Sequence, residues 1–463
     1  MVRAAITAAE GVDLSTGAHT SSNLRLGGGG RANQPSLPDA VVASSAVPRS
    51  NPELLAARAL GVPVLGRDEW LSLVTRDHAL LAVAGTHGKT TTSAMLTVAL
   101  RASDKRVAAV VGGEVPQLPG GTNAVVDRGH ERGDPFVLEA DEYDGAFLLL
   151  EPLVAVVTNI EWDHVDIYAA EEECVDAFRA FASRVRPGGA LLVCGDSAPA
   201  SQLVGRAQRA GEAEVEVRTF GTTEESDYRA VDLEANAAGG TDFRMFFRDV
   251  QLCTVSLPAP GVHNVRNAAA AVAAAALAEE LSGGDPERAA ARAAAALCTF
   301  EGVGRRFEVI GEVPGVCTIV DDYAHHPTEI AATLQGARQR YVSRPLWVVF
   351  QPHTHARLAA FRDGFVSALA AADRTVVAPV FEARGEDPEA LGAVPPRELT
   401  NLIADAGTPA VEMSSLDEVV DRLTFELSSG VGAGESNEGV VILTLGAGDI
   451  TSVGRRLLGR LQV

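Results

Sequence analysis

The sequence predicts an α/β protein built on parallel sheets, and three observations carry that expectation. Short apolar runs such as Leu80–Ala84, Val154–Thr158, Leu346–Phe350 and Val440–Leu445 alternate with helix-like segments. Unbroken apolar runs of that length suit strands buried on both faces. Next, Gly85-Thr86-His87-Gly88-Lys89-Thr90-Thr91-Thr92 links the first of these runs to the helical Ser93–Leu100. Such a strand–turn–helix cradles phosphate with backbone N–H groups and a lysine, and the Thr90 hydroxyl stands where a phosphate-bound Mg²⁺ takes an oxygen. Finally, polar residues crowd the positions after the strands, where ligands collect in sheets of this class.

In chain order, Asp39–Val47 reads as a buried strand ending in the hydroxyls of Ser44 and Ser45. A helix from Asn51 to Leu60 carries Pro52 in its first turn, and Gly61–Leu65 is a further strand. Between Ser15 and Pro38 the chain is rich in Gly, Ser, Asn and Pro, including Gly27–Gly30, and reads as a flexible connector. A second region starts near residue 76 with the phosphate loop. Its strands include Phe136–Leu138, Val154–Thr158 and Ala190–Cys194, with a helix from Cys174 to Val185. Alanine-rich helices over 264–280 and 286–298 close it, and Gly302-Val303-Gly304 reads as a hinge. A third region takes Val316–Val320, Leu346–Phe350, Thr375–Pro379 and Val440–Leu445 as strands, with 428–439 as a solvated loop. The expected boundaries are 1–75, 76–302 and 303–463, in line with 463 residues at about 150 residues per domain.

Lys plus Arg number 39 against 61 Asp plus Glu, a net charge of −22. So acidic a chain argues against nucleic-acid or anionic-membrane binding, and an anionic ligand must be held by local features. The five cysteines, Cys174, Cys194, Cys253, Cys298 and Cys317, are scattered and include no Cys-x-x-Cys pair. They read as reduced thiols in a cytosol-like setting, not as a disulfide framework or zinc site. The longest apolar run, Ala268–Ala278, is too short to span a bilayer, and no secretory pattern opens the chain.

Candidate chemistry gathers at strand tips. Glu139, Asp141, Glu142 and Asp144 follow one strand, and Asn159, Glu161, Asp163, His164 and Asp166 follow another. Acidic groups so close repel one another unless a cation or exposure relieves them. A magnesium site supplied by Glu139 and His164 is one reading, with Glu139 the better placed carboxylate, and a solvated acidic loop is the other. Asn264 and Asn267 open an alanine-rich helix, either as caps or as partners for an adenine edge. In the third region Asp322, Tyr323, His325 and His326 follow one strand tip, and His353, His355 and Arg357 another. Those side chains suit a carboxylate or oxyanion.

Taken together, GTHGKTTTSAM at 85–95, EADEYDGAFL at 139–148, TNIEWDHVDIY at 158–168 and HNVRNAAAA at 263–271 resemble the Mur ligase family. FEGVGRRFE at 300–308, DDYAHHPTEI at 321–330, FQPHTHAR at 350–357 and LGAGDI at 445–450 continue the likeness in the family's order. The resemblance implies three domains: a UDP-sugar-binding domain, a P-loop ATPase and a Rossmann-like amino-acid-binding domain. It implies an ATP-dependent enzyme of peptidoglycan precursor synthesis, most similar to the branch that adds L-alanine to UDP-N-acetylmuramate through an acyl phosphate. Alternatives are a ligase attaching a peptide to the same sugar nucleotide, or a non-catalytic nucleotide-binding relative.

By the same resemblance, Gly85, Thr86, His87, Gly88, Lys89, Thr90 and Thr91 hold the ATP phosphates. Thr90 and Glu139 would hold one Mg²⁺, and Glu139 with His164 a second. Asn264 and Asn267 would face the adenine, with Arg305 and Asp322 closing on the nucleotide. Tyr323, His325, His353 and Arg357 would serve the amino-acid and acyl-phosphate end, and Ser44 the sugar nucleotide. The catalytic set would be Lys89, Glu139, His164, His325 and Arg357. The chain departs from the family in lacking a Gly-x-Gly-Gly-x-Gly loop near its start, so its UDP-sugar-binding domain reads as shortened, and in carrying Thr354. Expected partners are small molecules only, the assembly a monomer or weak homodimer. The expected setting is cytoplasmic, with a plastid stroma as the alternative where a transit segment precedes or lies within the atypical N-terminus. Domain closure on ATP and substrate is also expected, because the proposed ligands lie in different regions.

Overall fold

The computed structural model describes residues 18–25, 37–44, 46–103, 105–204, 215–381, 394–430 and 438–462. Gly27–Gly30, Ser45, the Asp144 side chain and most of the 428–439 segment lie outside the described residues. The chain divides into two compact units, Met1–Asp77 and His78–Val463.

In the first unit Val41–Ala43 pairs in parallel with Val64–Gly66. The strand expected over 39–47 thus shrinks to its apolar centre. The helix Pro52–Ala59 starts as its sequence predicts, with Asn51 Oδ1 accepting from Glu53 N at 2.9 Å as the N-cap. Helix Arg67–Thr75 follows, unforeseen from sequence. Leu24, Ala57 and Val62 form the small core of this unit. Ser44 stands just after the first strand, exposed, with its hydroxyl accepting from Ala46 N.

The second unit holds two sheets. The larger runs Val250–Leu257, Thr241–Phe247, Tyr228–Ala235, Glu216–Gly221, Ala190–Cys194, Val154–Val157, Ala79–Ala84, Pro135–Glu139, Ala108–Val110, Ala124–Val126. From Tyr228–Ala235 outward its strands pair antiparallel, as does the far edge, so the sheet is mixed and not purely parallel. The central Ala79–Ala84 and Val154–Val157 are almost wholly buried, which is why their sequences are apolar without alternation. Helix Val262–Leu281 packs here with fourteen buried residues, mostly alanine, whose small side chains let it lie close to the phosphate-loop helix Lys89–Arg101.

The smaller sheet runs Glu308–Val313, Cys317–Asp322, Val440–Leu445, Leu346–Phe350, Arg374–Val377, Ala410–Glu412, antiparallel only at its first pair. Separate apolar clusters cover its two faces. The expected hinge at Gly302–Gly304 leads into a turn. Val303 is buried in the core of the larger sheet, and Gly304 N donates to Glu114 O at 2.8 Å. All five cysteines are free thiols. Among the described residues no helix is long and apolar enough to cross a membrane.

Candidate active site

The register of the larger sheet builds the site. Val83 lies opposite Glu139 and Ala84 opposite Val157, so three strands end side by side at the phosphate loop. Gly85 and Gly88 are required by geometry. Gly85 has φ +135°, and a Cβ there would fall 2.0 Å from Thr158 Oγ1. Gly88 has φ +81°, and its Cβ would meet Asn267 Oδ1 at 2.5 Å. The loop is pinned from the neighbouring strand tip: Asn159 O accepts from Thr86 N, and Asn159 Oδ1 from His87 N at 2.9 Å. Thr86 Oγ1 donates to Glu161 O. The helix begins at Lys89, a full turn earlier than the sequence suggests, so Lys89, Thr90 and Thr91 lie in its first turn.

Lys89 Nζ donates to Gly85 O at 2.7 Å, to Thr86 O at 3.2 Å and to both oxygens of Glu142 at 2.8 and 3.0 Å. Burial works against the ammonium charge, but Glu142 and Asp141 outweigh it and push its pKa up. Glu142 is 2 % exposed. Its burial favours the neutral acid, yet Lys89 and then His164 hold it below the ordinary carboxylate range. His164 Nε2 lies 3.3 Å from Glu142 Oε1. That pairing raises the His164 pKa against the opposing effect of burial. The Tyr143 ring stands edge-on to His164, and Tyr168 Oη donates to Glu142 O.

Beside the lysine, Thr90 Oγ1 donates to Glu139 Oε1 at 2.9 Å, and Glu139 Oε2 accepts from Gly112 N. Thr90 and Glu139 therefore form one oxygen-rich pair next to the loop. His164 groups instead with Asp141 and Glu142, whose ligating atoms lie within 4.8 Å of one another. Glu142, read from sequence only as part of an acidic run, joins the lysine to the histidine.

Asn264 and Asn267 are buried and bonded locally. Asn264 Nδ2 donates to Pro260 O and Asn267 Nδ2 to Asn264 Oδ1, while Asn267 Oδ1 accepts from Thr92 Oγ1. They brace the loop from behind. Arg305 Nη2 donates to Gly446 O at 2.6 Å, and Asp322 accepts from Phe307 N and Ala324 N. Burial lifts the Asp322 pKa to about 6. The arginine that reaches the loop is Arg306, at 3.4 Å from Thr90 Oγ1 and 4.8 Å over the Tyr323 ring. Sequence reasoning passed over it, since adjacent arginines give no signal of which one turns inward.

The third region supplies a second cluster. Arg357, 6 % exposed, donates from Nε and Nη2 to Asp163 Oδ1 at 3.0 and 2.6 Å. Although burial opposes it, the guanidinium holds Asp163 well below the usual carboxylate range. Arg357 Nη1 also lies 3.1 Å from His353 Nδ1, and burial, His325 and Arg357 push His353 down to about 4. Tyr323, His325 and His353 stack edge-on in series. His87 spans both sheets. Its Nε2 is 3.0 Å from Glu161 Oε2, and its Nδ1 is 3.3 Å from Glu329 Oε1, close enough for charge attraction without hydrogen-bond alignment. Burial lowers its pKa, but Glu329 and Glu161 prevail and raise it to about 9. A cleft of about 530 Å³ opens beside this cluster, walled by Trp162, His326, Phe361 and Arg362.

The chain matches the Mur ligase middle domain over residues 83–275 and the Mur ligase glutamate ligase domain over 305–448. It is 42 % identical to a UDP-N-acetylmuramate–L-alanine ligase of Frankia casuarinae, over 91 % of this chain and 84 % of that protein. An enzyme of the same description from Kineococcus radiotolerans is 44 % identical over 91 % of this chain and 83 % of its own length. Among solved structures, a UDP-N-acetylmuramate–alanine ligase from Thermotoga maritima superposes with a TM-score of 0.69 at 26 % identity, covering 96 % of this chain and 87 % of that one. Kinship at that level over nine-tenths of the sequence, with both Mur ligase domain models matched, means that the chain belongs to the Mur ligase family.

Proposed function

We infer that the chain is an ATP-dependent ligase that joins L-alanine to the carboxylate of UDP-N-acetylmuramate, a step of peptidoglycan precursor synthesis. The observation that carries this reading is the relatives of that description at 36–44 % identity along nearly the whole chain. The supporting geometry is the meeting of Lys89, Thr90, Glu139 and the Glu142–His164 pair at one end of the sheet.

In this reading the loop backbone and Lys89 take the triphosphate, and the muramate carboxylate attacks its γ-phosphoryl group. Two anions approach each other there, so Lys89 neutralises part of the charge that accumulates in transit. The oxygen pair of Thr90 and Glu139 has the hard-donor chemistry that suits one Mg²⁺, which would offset phosphate charge, and Glu139 with His164 would serve a second. The alanine amine then attacks the acyl phosphate carbonyl, and phosphate leaves. Arg357, His353, His325 and Tyr323 are the groups proposed to orient the acyl end and the amino acid, with Arg306 and Arg305 acting from the third region. Ser44 is proposed for the sugar nucleotide, within a domain over 1–75, followed by an ATPase domain over 76–302 and an amino-acid domain over 303–463.

The test is phosphate release from ATP by purified protein. Release that requires both UDP-N-acetylmuramate and L-alanine is the expected result, and a tripeptide should not replace L-alanine. No release with both present would sink the reading.

A further inference from the structure

Lys89 Nζ has three protons and four acceptors within 3.2 Å, two of them on Glu142. Any phosphate oxygen that takes this ammonium must therefore displace a partner already in place. Glu142 cannot relax into water when that happens, because it is 2 % exposed and its backbone carbonyl accepts from Tyr168 Oη. A buried carboxylate left without any cation is strongly destabilised. The second partner prevents that: His164 Nε2 stands 3.3 Å from Glu142 Oε1. With Nε2 turned to the carboxylate, Nδ1 is the ring nitrogen left for a cation. A carboxylate behind the far nitrogen is the usual way a protein fixes the ring of a metal-binding histidine.

We propose that Glu142 is a positioning residue for phosphoryl transfer, holding Lys89 and the His164 ring on one buried carboxylate and passing the lysine to the triphosphate when nucleotide enters. The proposal rests on the ligase reading given above. Two consequences for the site are separable. Glu142 and the loop carbonyls hold the lysine, so removing the carboxylate charge eases nucleotide entry. The histidine is oriented through the same group, so removing that charge impairs turnover.

The experiment compares wild type, Glu142→Gln and Glu142→Asp by calorimetric ATP binding in EDTA, by ATP binding with Mg²⁺ and by alanine-dependent phosphate release. Native melting behaviour of each variant is the control for folding. Glu142→Gln should bind metal-free ATP several-fold tighter than wild type, lose the gain that Mg²⁺ adds, and turn over at least tenfold more slowly. Glu142→Asp should recover part of the turnover. Unchanged or weaker metal-free ATP binding in Glu142→Gln overturns the hold of Glu142 on Lys89. Turnover within twofold of wild type overturns the positioning role, and equal turnover of the Asp and Gln variants does the same. Should wild type itself release no phosphate with both substrates, the ligase reading fails, while the ATP affinities still decide whether Glu142 holds Lys89.

Discussion

At the scale of single residues, Lys89 is tied to the buried Glu142 carboxylate at 2.8 Å. From sequence, Lys89→Ala removes a charge and no packing, and should abolish turnover with the fold intact. Its partner Glu142 is nearly inaccessible to water, so the same substitution leaves that carboxylate with His164 alone. The expected outcome is loss of turnover together with a stability cost of roughly 1–3 kcal/mol, read by chemical denaturation. Unchanged stability would show that Glu142 does not depend on the lysine. His87 offers a pH test. Its pKa rises from the ordinary 6.5 to about 9, so its stabilising contact is complete below pH 6.5 and is lost as pH climbs through about 9. The melting temperature of wild type should fall across that window by more than that of His87→Gln, with an upper bound of about 3 kcal/mol. Parallel curves for the two proteins would contradict the ion pairs with Glu161 and Glu329. Lys89 and Thr90 could be placed on the loop because a glycine-bounded Lys-Thr between strand and helix has a known chemistry. His164 was paired with Glu139, whereas the structure sets it against Glu142. Glu142 was not legible, since an acidic run looks the same whether its members face solvent or a buried lysine.

At the scale of elements, the phosphate loop owes its shape to glycines that no other residue can replace. Gly88→Ala places a Cβ 2.5 Å from Asn267 Oδ1 at a φ of +81°. It should weaken ATP binding at least tenfold and cost about 1–3 kcal/mol, measured by calorimetry and thermal melting. Near-normal affinity would mean that the loop can reshape around the clash. The strands that flank the loop were readable because burial on both faces makes them apolar throughout. The antiparallel ribbon Tyr228–Leu257 escaped notice for the opposite reason. Its strands mix buried and exposed positions, as in Tyr228, Ala230 and Met245 against Asp232, Arg244 and Gln251, and are broken by register shifts. The alanine-rich helix was found, and neither reading of its asparagines, as caps or as partners for an adenine edge, included the packing of Asn267 against the Gly88 turn and Thr92.

At the scale of the molecule, the two sheets of the second unit are joined across their ligand-bearing ends by the buried pair Arg357–Asp163, by Thr328–Glu161 and by His87. Sequence could suggest that the two regions close on each other, but no single-chain pattern announces which charges meet. Arg357→Ala leaves Asp163 buried without its cation and should cost about 3–5 kcal/mol, seen as a lowered denaturation midpoint; a change below about 0.5 kcal/mol would show that the pair does not tie the sheets together. With a net charge of −22, the molecule repels anions overall, so its phosphate chemistry depends on these few inward-facing cations. The most direct measurement of the central claim follows heavy oxygen placed in the carboxylate of UDP-N-acetylmuramate during turnover with ATP and L-alanine. Attack of that carboxylate on the γ-phosphoryl group, then displacement by the amine, must carry one labelled oxygen into the released phosphate. Phosphate free of label, formed at the rate of amide product, would contradict the account.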